Sequence, residues 1–294
     1  MSFLSDRQFD HLRRVTSEPD LSGTRYRIEH EIGRGGMGIV YRAWDSTLER
    51  SVALKVIDDG SVAEAKVLAA LEHPGLVPVY DAGTLPDGRC YYAMRLVRGI
   101  GFDEFLRREG SLVPRLRMFQ RICEAVAFAH DRGVIHCDLK PQNLMTGSFG
   151  ELLVMDWGIA RPQGQMATAG TPRYMAPETT VDYRADIFAL GKILEDLMPT
   201  PRPRALAAIA ACASAADPGR RYGTATELAA DIARFLDHQS VSAYRENTLE
   251  RVSRFARRNQ VLLLLLATYL VVKVALFLVG WASRPVPNFF VSPQ

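Results

Sequence analysis

The stretch HCDLKPQN, from His136 to Asn143, holds an acid, a base and two amides within eight residues. Asp138 can accept a proton from a hydroxyl group, and Lys140 can neutralise a phosphoryl group during its transfer. Asn143 can hold a metal ion through its side-chain oxygen. Further along the chain, Asp156 in VMDWGIA offers a second hard oxygen ligand for Mg²⁺. These residue types favour a site for phosphoryl transfer.

A glycine-rich segment, GRGGMGIV from Gly33 to Val40, lies between two predicted strands. A dinucleotide-binding site would need a helix after these glycines, and none is predicted here. Between strands, glycines let main-chain N–H groups approach phosphate oxygens closely. Lys55 follows in VALKVI, where an alternating strand places its ammonium group under this segment. An isolated strand lysine usually lies at the surface, so these two features alone leave both interpretations open.

The hydrophobic pattern divides the chain into a strand-rich part and a helix-rich part. From Tyr26, short alternating runs (RYRIEHEIG, GIVYRAWD, SVALKVID) are separated by turn residues, which predicts antiparallel strands. SVAEAKVLAALEH has helical spacing, and two further strands are predicted around the turn Pro86-Asp87-Gly88. Beyond Gly99 the pattern is mostly helical. We therefore predict an α+β fold with two lobes.

A third motif, GTPRYMAPE from Gly170 to Glu178, follows HCDLKPQN and VMDWGIA along the chain. In this order and spacing, the motifs resemble those of bacterial eukaryotic-like (Hanks-type) serine/threonine protein kinases, and the match runs from about Tyr26 to Leu236. The resemblance implies a two-lobed protein-kinase fold, with a small β-rich lobe and a larger helical lobe. It also implies transfer of the γ-phosphate of ATP to Ser or Thr of protein substrates, with Mg²⁺ or alternatively Mn²⁺. The DWG triplet and VSAYRE before an arginine-rich stretch resemble planctomycete-like kinases that carry a transmembrane anchor.

The resemblance assigns roles to matching residues. Asp138 would be the catalytic base, Lys140 would act beside it, and Lys55 would hold phosphates and pair with Glu64. Asn143 and Asp156 would bind the metal. The implied nucleotide-binding residues are Ile32, Gly33, Gly35, Gly38, Val40, Ala53, Lys55, Met94, Arg95 and Val97, of which Met94 backs the adenine pocket and the last two belong to the hinge.

Three further residues would have structural roles by the same resemblance. Asp186, in YRADIFALG, would tie down the main chain of the catalytic loop. Glu178 and Arg221 would form an ion pair within the larger lobe. We therefore do not count these three among the catalytic residues.

Some positions depart from the family pattern. Cys137 stands where many kinases have an arginine that pairs with a phosphate on the activation loop, so activation by that route is not expected. A redox role for Cys137 is the weaker alternative, because buried thiols are usually inert. Trp157 replaces the usual Phe and should fill the same kind of pocket. Only eight residues separate Lys55 from Glu64, which predicts a trimmed helix, and the chain after Gly191 looks too short for a surface docking helix.

The motifs are compatible with three functions. The first is an active protein kinase, which the complete set of motif residues favours. The second is a pseudokinase that binds nucleotide and recruits partners as a scaffold. The third, a small-molecule kinase, fits poorly with GTPRYMAPE.

The segment from Val261 to Ala282 has 22 residues and a single charge, Lys273. As a helix it would be ~33 Å long, enough to cross the hydrocarbon core of a bilayer. A buried helix of a globular protein is the alternative. Arginines are concentrated before the segment, so the positive-inside rule predicts a single-pass cell-membrane protein with residues 1–260 in the cytoplasm. The span has no G-x-x-x-G motif, which leaves a homodimer open.

The arginine-rich stretch before this span has apolar residues at helical spacing, Leu249, Val252 and Ala256. It predicts either an amphipathic helix on anionic lipid headgroups or a solvated charged linker. The predicted segments are an N-terminal tail (1–25), the small lobe (26–97), the large lobe (98–238), a basic juxtamembrane segment (239–260), the membrane span (261–282) and a short outer tail (283–294).

Composition narrows the remaining classes of function. The net charge of +3 is too small to indicate nucleic-acid binding. The four cysteines show no C-x-x-C spacing, so neither a zinc site nor a disulfide framework is expected and the thiols should be reduced. The N-terminal residues contain no apolar run of the kind found in cleavable signal peptides.

Overall fold

The computed structural model describes residues 18–35, 38–57, 63–157, 161–162, 171–178 and 182–282. The chain forms two compact units. One contains the described residues up to Leu236 together with Val241–Tyr244. The other contains Asp237–Ser240 and the chain from Arg245 onward.

The first lobe of the larger unit is a five-stranded antiparallel sheet with one helix. The strand order is β1-β2-β3-β5-β4. In β2, buried and partly exposed residues alternate, as expected for a strand with one face on the core. The predicted order of five strands and one helix is confirmed. The elements are β1 (Tyr26–Gly35), β2 (Gly38–Asp45), β3 (Arg50–Ile57), α1 (Ala63–Ala69), β4 (Val79–Thr84) and β5 (Cys90–Arg95).

The second lobe is mainly helical. Its helices are α2 (Phe102–Arg108), α3 (Leu112–His130), α4 (Tyr183–Leu197), α5 (Arg204–Ala213) and α6 (Ala225–Leu236). It also has five strands that the hydrophobic pattern does not predict, because two to four residues are too few to show a period. These are β6 (Gly99–Gly101), β7 (Val134–Ile135), β8 (Leu144–Gly147), β9 (Leu152–Val154) and β10 (Arg161–Pro162).

The described residues form two buried hydrophobic clusters, of which the larger runs from the sheet into the helical lobe and the smaller lies within the sheet. Phe119 and Ile122 of α3 and Ile193 of α4 are fully buried in the larger cluster, together with Met94 and Tyr92 of β5. No helix forms between Leu197 and Arg204, a stretch that the structure describes throughout. The expectation that a docking helix is absent from this lobe remains a prediction.

The chain after α6 is fastened back onto that helix by one carboxylate. Asp231 is fully buried and accepts hydrogen bonds from the hydroxyl of Tyr222 and from the main-chain N–H groups of Ser242 and Ala243. Burial raises the pKa of Asp231, but the hydrogen bonds from Ser242 outweigh this, and the pKa lies below its ordinary value. This network explains why Val241–Tyr244 belongs to the larger unit.

The smaller unit contains two helices, α7 (Thr248–Arg258) and α8 (Gln260–Ala282). Asn247 caps α7 through a capping box with Glu250. Asn259 lies between the helices with φ −111° and ψ 24°, which interrupts the helical path. Within α8, Gln260–Leu278 is long and apolar enough to cross a membrane, with mean hydropathy 2.7 and no part buried inside the protein.

Candidate active site

A cleft of about 650 Å³ lies between the sheet and the helical lobe. Main chain from the β1–β2 hairpin covers one side, and the HCDLKPQN loop and the end of β9 form the other. Its lining brings together residues far apart in sequence: Gly33, Arg34, Gly35, Gly38, Val40, Lys55, Leu68, Val77, Tyr92, Met94, Asp138, Lys140, Gln142, Val154, Met155, Asp156 and Trp157.

Lys55 reaches into this cleft from the centre of the sheet. It lies opposite Val40 of β2 and Tyr92 of β5, and only 5% of the residue is exposed. Its Nζ donates a hydrogen bond to Oδ1 of Asp156 at 2.8 Å. The predicted partner Glu64 lies in α1, and its side chain is outside the described residues. The contact between Lys55 and Asp156 spans the two lobes, and sequence reasoning missed it.

Asp156 has the electrostatic character of a metal-binding carboxylate. Burial raises its pKa, but the charge and hydrogen bond of Lys55 outweigh this, and the pKa of Asp156 lies below its ordinary value. The side chain therefore remains ionised at neutral pH. Its φ of 57° is in the left-handed region, which is rare for a residue other than glycine and is held here by its surroundings.

Asp138 is the centre of the hydrogen-bond network on the other side of the cleft. Nζ of Lys140 donates to Oδ2 of Asp138 at 2.6 Å. Both the main-chain N–H and the hydroxyl of Thr171 donate to Oδ1, at 3.1 and 3.0 Å. Lys140 also donates to the Thr171 hydroxyl at 2.9 Å. The network brings a carboxylate, an ammonium group and a hydroxyl within hydrogen-bonding distance of one another.

Asn143 and Asp156 are brought to the same end of the β8–β9 hairpin. The main-chain N–H of Met155 donates to the carbonyl oxygen of Asn143 at 2.8 Å. The side-chain N–H₂ of Asn143 donates to the carbonyl oxygen of Asp138 at 2.8 Å, which leaves its amide oxygen as the group available to a cation. Among the described residues, no group of three His, Cys, Asp or Glu side chains could hold a metal. One carboxylate and one amide oxygen fit Mg²⁺, which takes few protein ligands and keeps water and phosphate oxygens.

Asp186 holds the HCDLKPQN loop through its main chain, as the family resemblance implied. This fully buried carboxylate accepts N–H hydrogen bonds from His136 at 2.8 Å and Cys137 at 3.0 Å, and it contacts Nε2 of His130 at 2.8 Å. Burial raises its pKa, but the contacts with His130 outweigh this and lower it overall. Cys137 takes φ 68°, so the loop turns sharply just before Asp138.

Trp157 fills the pocket behind this loop, as expected for a substitute of Phe. Only 1% of the residue is exposed, and its ring centroid lies 4.5 Å from that of His136. The indole N–H donates to the carbonyl oxygen of Val154 at 3.4 Å. The larger side chain is therefore accommodated with its polar atom satisfied.

The predicted ion pair of Glu178 and Arg221 is confirmed. Two nitrogens of Arg221 donate to the two carboxylate oxygens of Glu178, at 2.6 and 2.8 Å. The pair fixes the chain at Glu178, in the same described stretch as Thr171, the residue in contact with Asp138.

The glycines of the β1–β2 hairpin differ in their constraints. A Cβ at Gly38 would lie 2.2 Å from the carbonyl oxygen of Val56, and Gly38 has φ 129°. At Gly33 and Gly35, a Cβ would meet none of the described atoms within 4 Å. Gly38 is thus required by the close approach of β3, whereas the other two leave space over the cleft.

The predicted hinge residues Arg95 and Val97 are not among the described residues that line the cleft. Nη2 of Arg95, at the end of β5, donates to Oε1 of Glu151 at 2.6 Å. Glu151 precedes β9, so this ion pair links the sheet to the helical lobe beside the cleft. Ile32, Ala53 and Val97 also lie outside the lining, and their predicted nucleotide contacts remain predictions.

Comparison with known proteins agrees with this geometry. A protein kinase domain model matches residues 26–208. The serine/threonine-protein kinase PknB of Mycolicibacterium smegmatis is 33% identical over 81% of this chain and 47% of its own length. PknD of Protochlamydia amoebophila is 32% identical over 60% of this chain and 23% of its own length, and pkn3 of Myxococcus xanthus is 37% identical over 59% and 37%. In each case the chain spans less than half of the relative's length.

Proposed function

The chain belongs to the protein kinase family of ATP-dependent phosphotransferases, and on this premise we propose that it transfers the γ-phosphate of ATP to Ser or Thr hydroxyls of proteins. The observation that carries the proposal is the contact network of Asp138, Lys140 and Thr171, which lies in the same cleft as Lys55 and Asp156. The cleft volume of about 650 Å³ is in the range of small-molecule sites.

In this proposal, the residues of the cleft position the acceptor hydroxyl and the phosphates and neutralise the charge of the transferred group. Asp138 would orient the acceptor hydroxyl and accept its proton, and Lys140 would neutralise charge on the transferred group. Lys55 would bind phosphate oxygens, and the main chain at Gly33, Gly35 and Gly38 would cover them.

Asn143 and Asp156 would hold Mg²⁺, which would neutralise charge on the phosphates. Two observations support this assignment: the pKa of Asp156 is lowered, and the amide nitrogen of Asn143 donates to the carbonyl oxygen of Asp138, which leaves the amide oxygen as its cation ligand. Glu64 is proposed as a second partner of Lys55 on the family pattern alone.

We further propose that α8 crosses the cell membrane once and that residues 1–260 lie on the cytoplasmic side. The length and hydropathy of α8 support the span. Five arginines lie between residues 245 and 258, immediately before it, and support the orientation.

The test of catalysis is Mg²⁺-dependent transfer of labelled γ-phosphate by the full chain in detergent to itself and to a generic protein substrate. Asp138→Asn keeps the shape of the side chain but removes the base, so we expect transfer to fall roughly 10²–10⁴-fold. Asp131→Asn is the matched control, because Asp131 is an exposed acid at the end of α3.

Label on Ser or Thr that is lost in Asp138→Asn and kept in Asp131→Asn would support the proposal. No label from the unaltered chain, together with thermal stabilisation by ATP and Mg²⁺, would contradict it and indicate a pseudokinase.

A further inference from the structure

Helix α7 has two chemically distinct faces. At 3.6 residues per turn, Leu249, Val252 and Phe255 fall on one third of its circumference, with Ala256 among them. The three larger side chains are 82%, 62% and 61% exposed. Large apolar side chains exposed side by side indicate a surface that is covered in the functional state.

The opposite face is basic. By helical spacing, the positions of Arg251, Arg254, Arg257 and Arg258 fall on this side of the helix, as does that of Glu250, its one acidic residue in the sequence. An apolar strip on one side of a helix and a row of arginines on the other is the pattern of helices that lie in the interface of a membrane with anionic lipid.

The position of α7 in the chain decides which surface covers it. Only Asn259 separates it from α8, the helix that we propose crosses the membrane. Since α7 has 11 residues, its far end cannot be more than ~17 Å from the start of the span. The break in the helical path at Asn259 allows α7 to leave the direction of α8.

We propose that α7 binds the cytoplasmic surface of the membrane, with Leu249, Val252 and Phe255 inserted among the acyl chains and its arginines on anionic headgroups. The proposal rests on α8 as the membrane anchor. It also rests on charge complementarity, since anionic lipids are concentrated in the cytoplasmic leaflet.

A physical consequence makes the proposal measurable. An isolated helix of 11 residues is marginally stable in water, even with a good N-cap. Its amide hydrogens should therefore exchange quickly when α7 is solvated and slowly when a lipid surface covers it.

The experiment is hydrogen exchange with mass spectrometry on the full chain in lipid nanodiscs. One set of discs contains phosphatidylcholine only, and the other contains about 30% phosphatidylserine. Exchange within 260–282 reports the span, exchange within 248–258 reports α7, and exchange within 26–236 reports whether each variant is folded.

Two double variants separate the contributions of the two faces. Leu249→Gln/Phe255→Gln removes the apolar strip, and Arg251→Gln/Arg254→Gln removes two charges. Leu, Arg and Gln have similar helix propensities and Phe a slightly lower one, so neither variant lowers the helix propensity of α7. At roughly five-fold per arginine, the second variant should lose about 25-fold of the preference for anionic lipid.

The expected result is slow exchange of α7 that is strongest with phosphatidylserine. The apolar variant should lose protection in both discs, and the arginine variant should lose only the part that depends on phosphatidylserine. Equal, rapid exchange of α7 in both discs, with 260–282 protected, would overturn the proposal in favour of a solvated linker. Protection of α7 that is independent of phosphatidylserine would overturn its anionic part. Rapid exchange within 260–282 would instead overturn the proposed anchor.

Discussion

Replacing Arg221 with methionine should destabilise the larger unit through loss of one buried charge. The side chain of Arg221 is fully buried. Its nitrogens donate to Glu178 and to the carbonyl oxygens of Arg184, Ala215 and Ala216 at 2.6 to 3.2 Å. Arg221→Met keeps the apolar stem and leaves one carboxylate and three carbonyl groups without this donor.

The structure sets the expected magnitude. Removing one partner of a buried ion pair costs about 3–5 kcal/mol. The Glu178 side chain is 20% exposed, so water can partly solvate the remaining carboxylate and the lower end of that range applies. A loss of about 3 kcal/mol corresponds to a fall in Tm of roughly 6–12 °C for a unit of this size. The assay is urea and thermal denaturation of the full chain in detergent, followed by tryptophan fluorescence.

Arg107→Met is the matched control for this experiment. Arg107 pairs with Asp103 at 3.1 Å on the surface of α2, with side chains 68% and 46% exposed. Removing this pair should cost roughly 0.3 kcal/mol or less. If Arg221→Met and Arg107→Met lower Tm equally, the reasoning from burial and hydrogen bonding is refuted.

Three further outcomes are expected. Gly38→Ala should lower the free energy of unfolding by about 3 kcal/mol and weaken ATP binding, because Gly38 has φ 129° and a Cβ there would lie 2.2 Å from the carbonyl oxygen of Val56. Gly33→Ala should cost under about 1 kcal/mol, because a Cβ there meets none of the described atoms within 4 Å. Urea denaturation and nucleotide titration compare the two variants, and equal losses would contradict the argument. Single and double alanine variants of Arg95 and Glu151 should show a coupling energy of about 0.5 kcal/mol in the free energy of unfolding, since both side chains are about a third exposed. Strictly additive losses would mean that the ion pair contributes nothing to stability. Burial raises the pKa of Cys123, so iodoacetamide should modify it only after unfolding, and rapid modification of the native chain would show that α3 opens.

Local pattern was sufficient for the elements of the first lobe. Strands β1 to β5 have enough residues for alternation to be visible, and the turn between β4 and β5 contains Pro86 and Gly88. The strands of the second lobe have two to four residues each, and β6 and β7 pair with segments far along the chain, β8 and β10. No local pattern can carry that information.

The candidate site was predictable to the extent that its contacts follow a family pattern. Asp186 and the pair of Glu178 and Arg221 lie where the resemblance implied. The bond from Lys55 to Asp156 joins residues 101 positions apart, and the sequence gives no signal for it beyond the two motifs themselves.

The unusual residues near the site become understandable once their contacts are known. Arg95 is unexpected at the hinge by the family pattern, yet it has an acidic partner in Glu151 on the opposite lobe. Cys137 stands where many kinases have an arginine, but the contact that holds the HCDLKPQN loop here is the hydrogen bond from the main-chain N–H of Cys137 to the carboxylate of Asp186. A main-chain donor is the same whichever side chain follows it. The cysteine therefore lacks a binding group for an activation-loop phosphate but keeps the main-chain contact with Asp186 next to Asp138, so the missing arginine does not by itself argue against the proposed phosphoryl transfer.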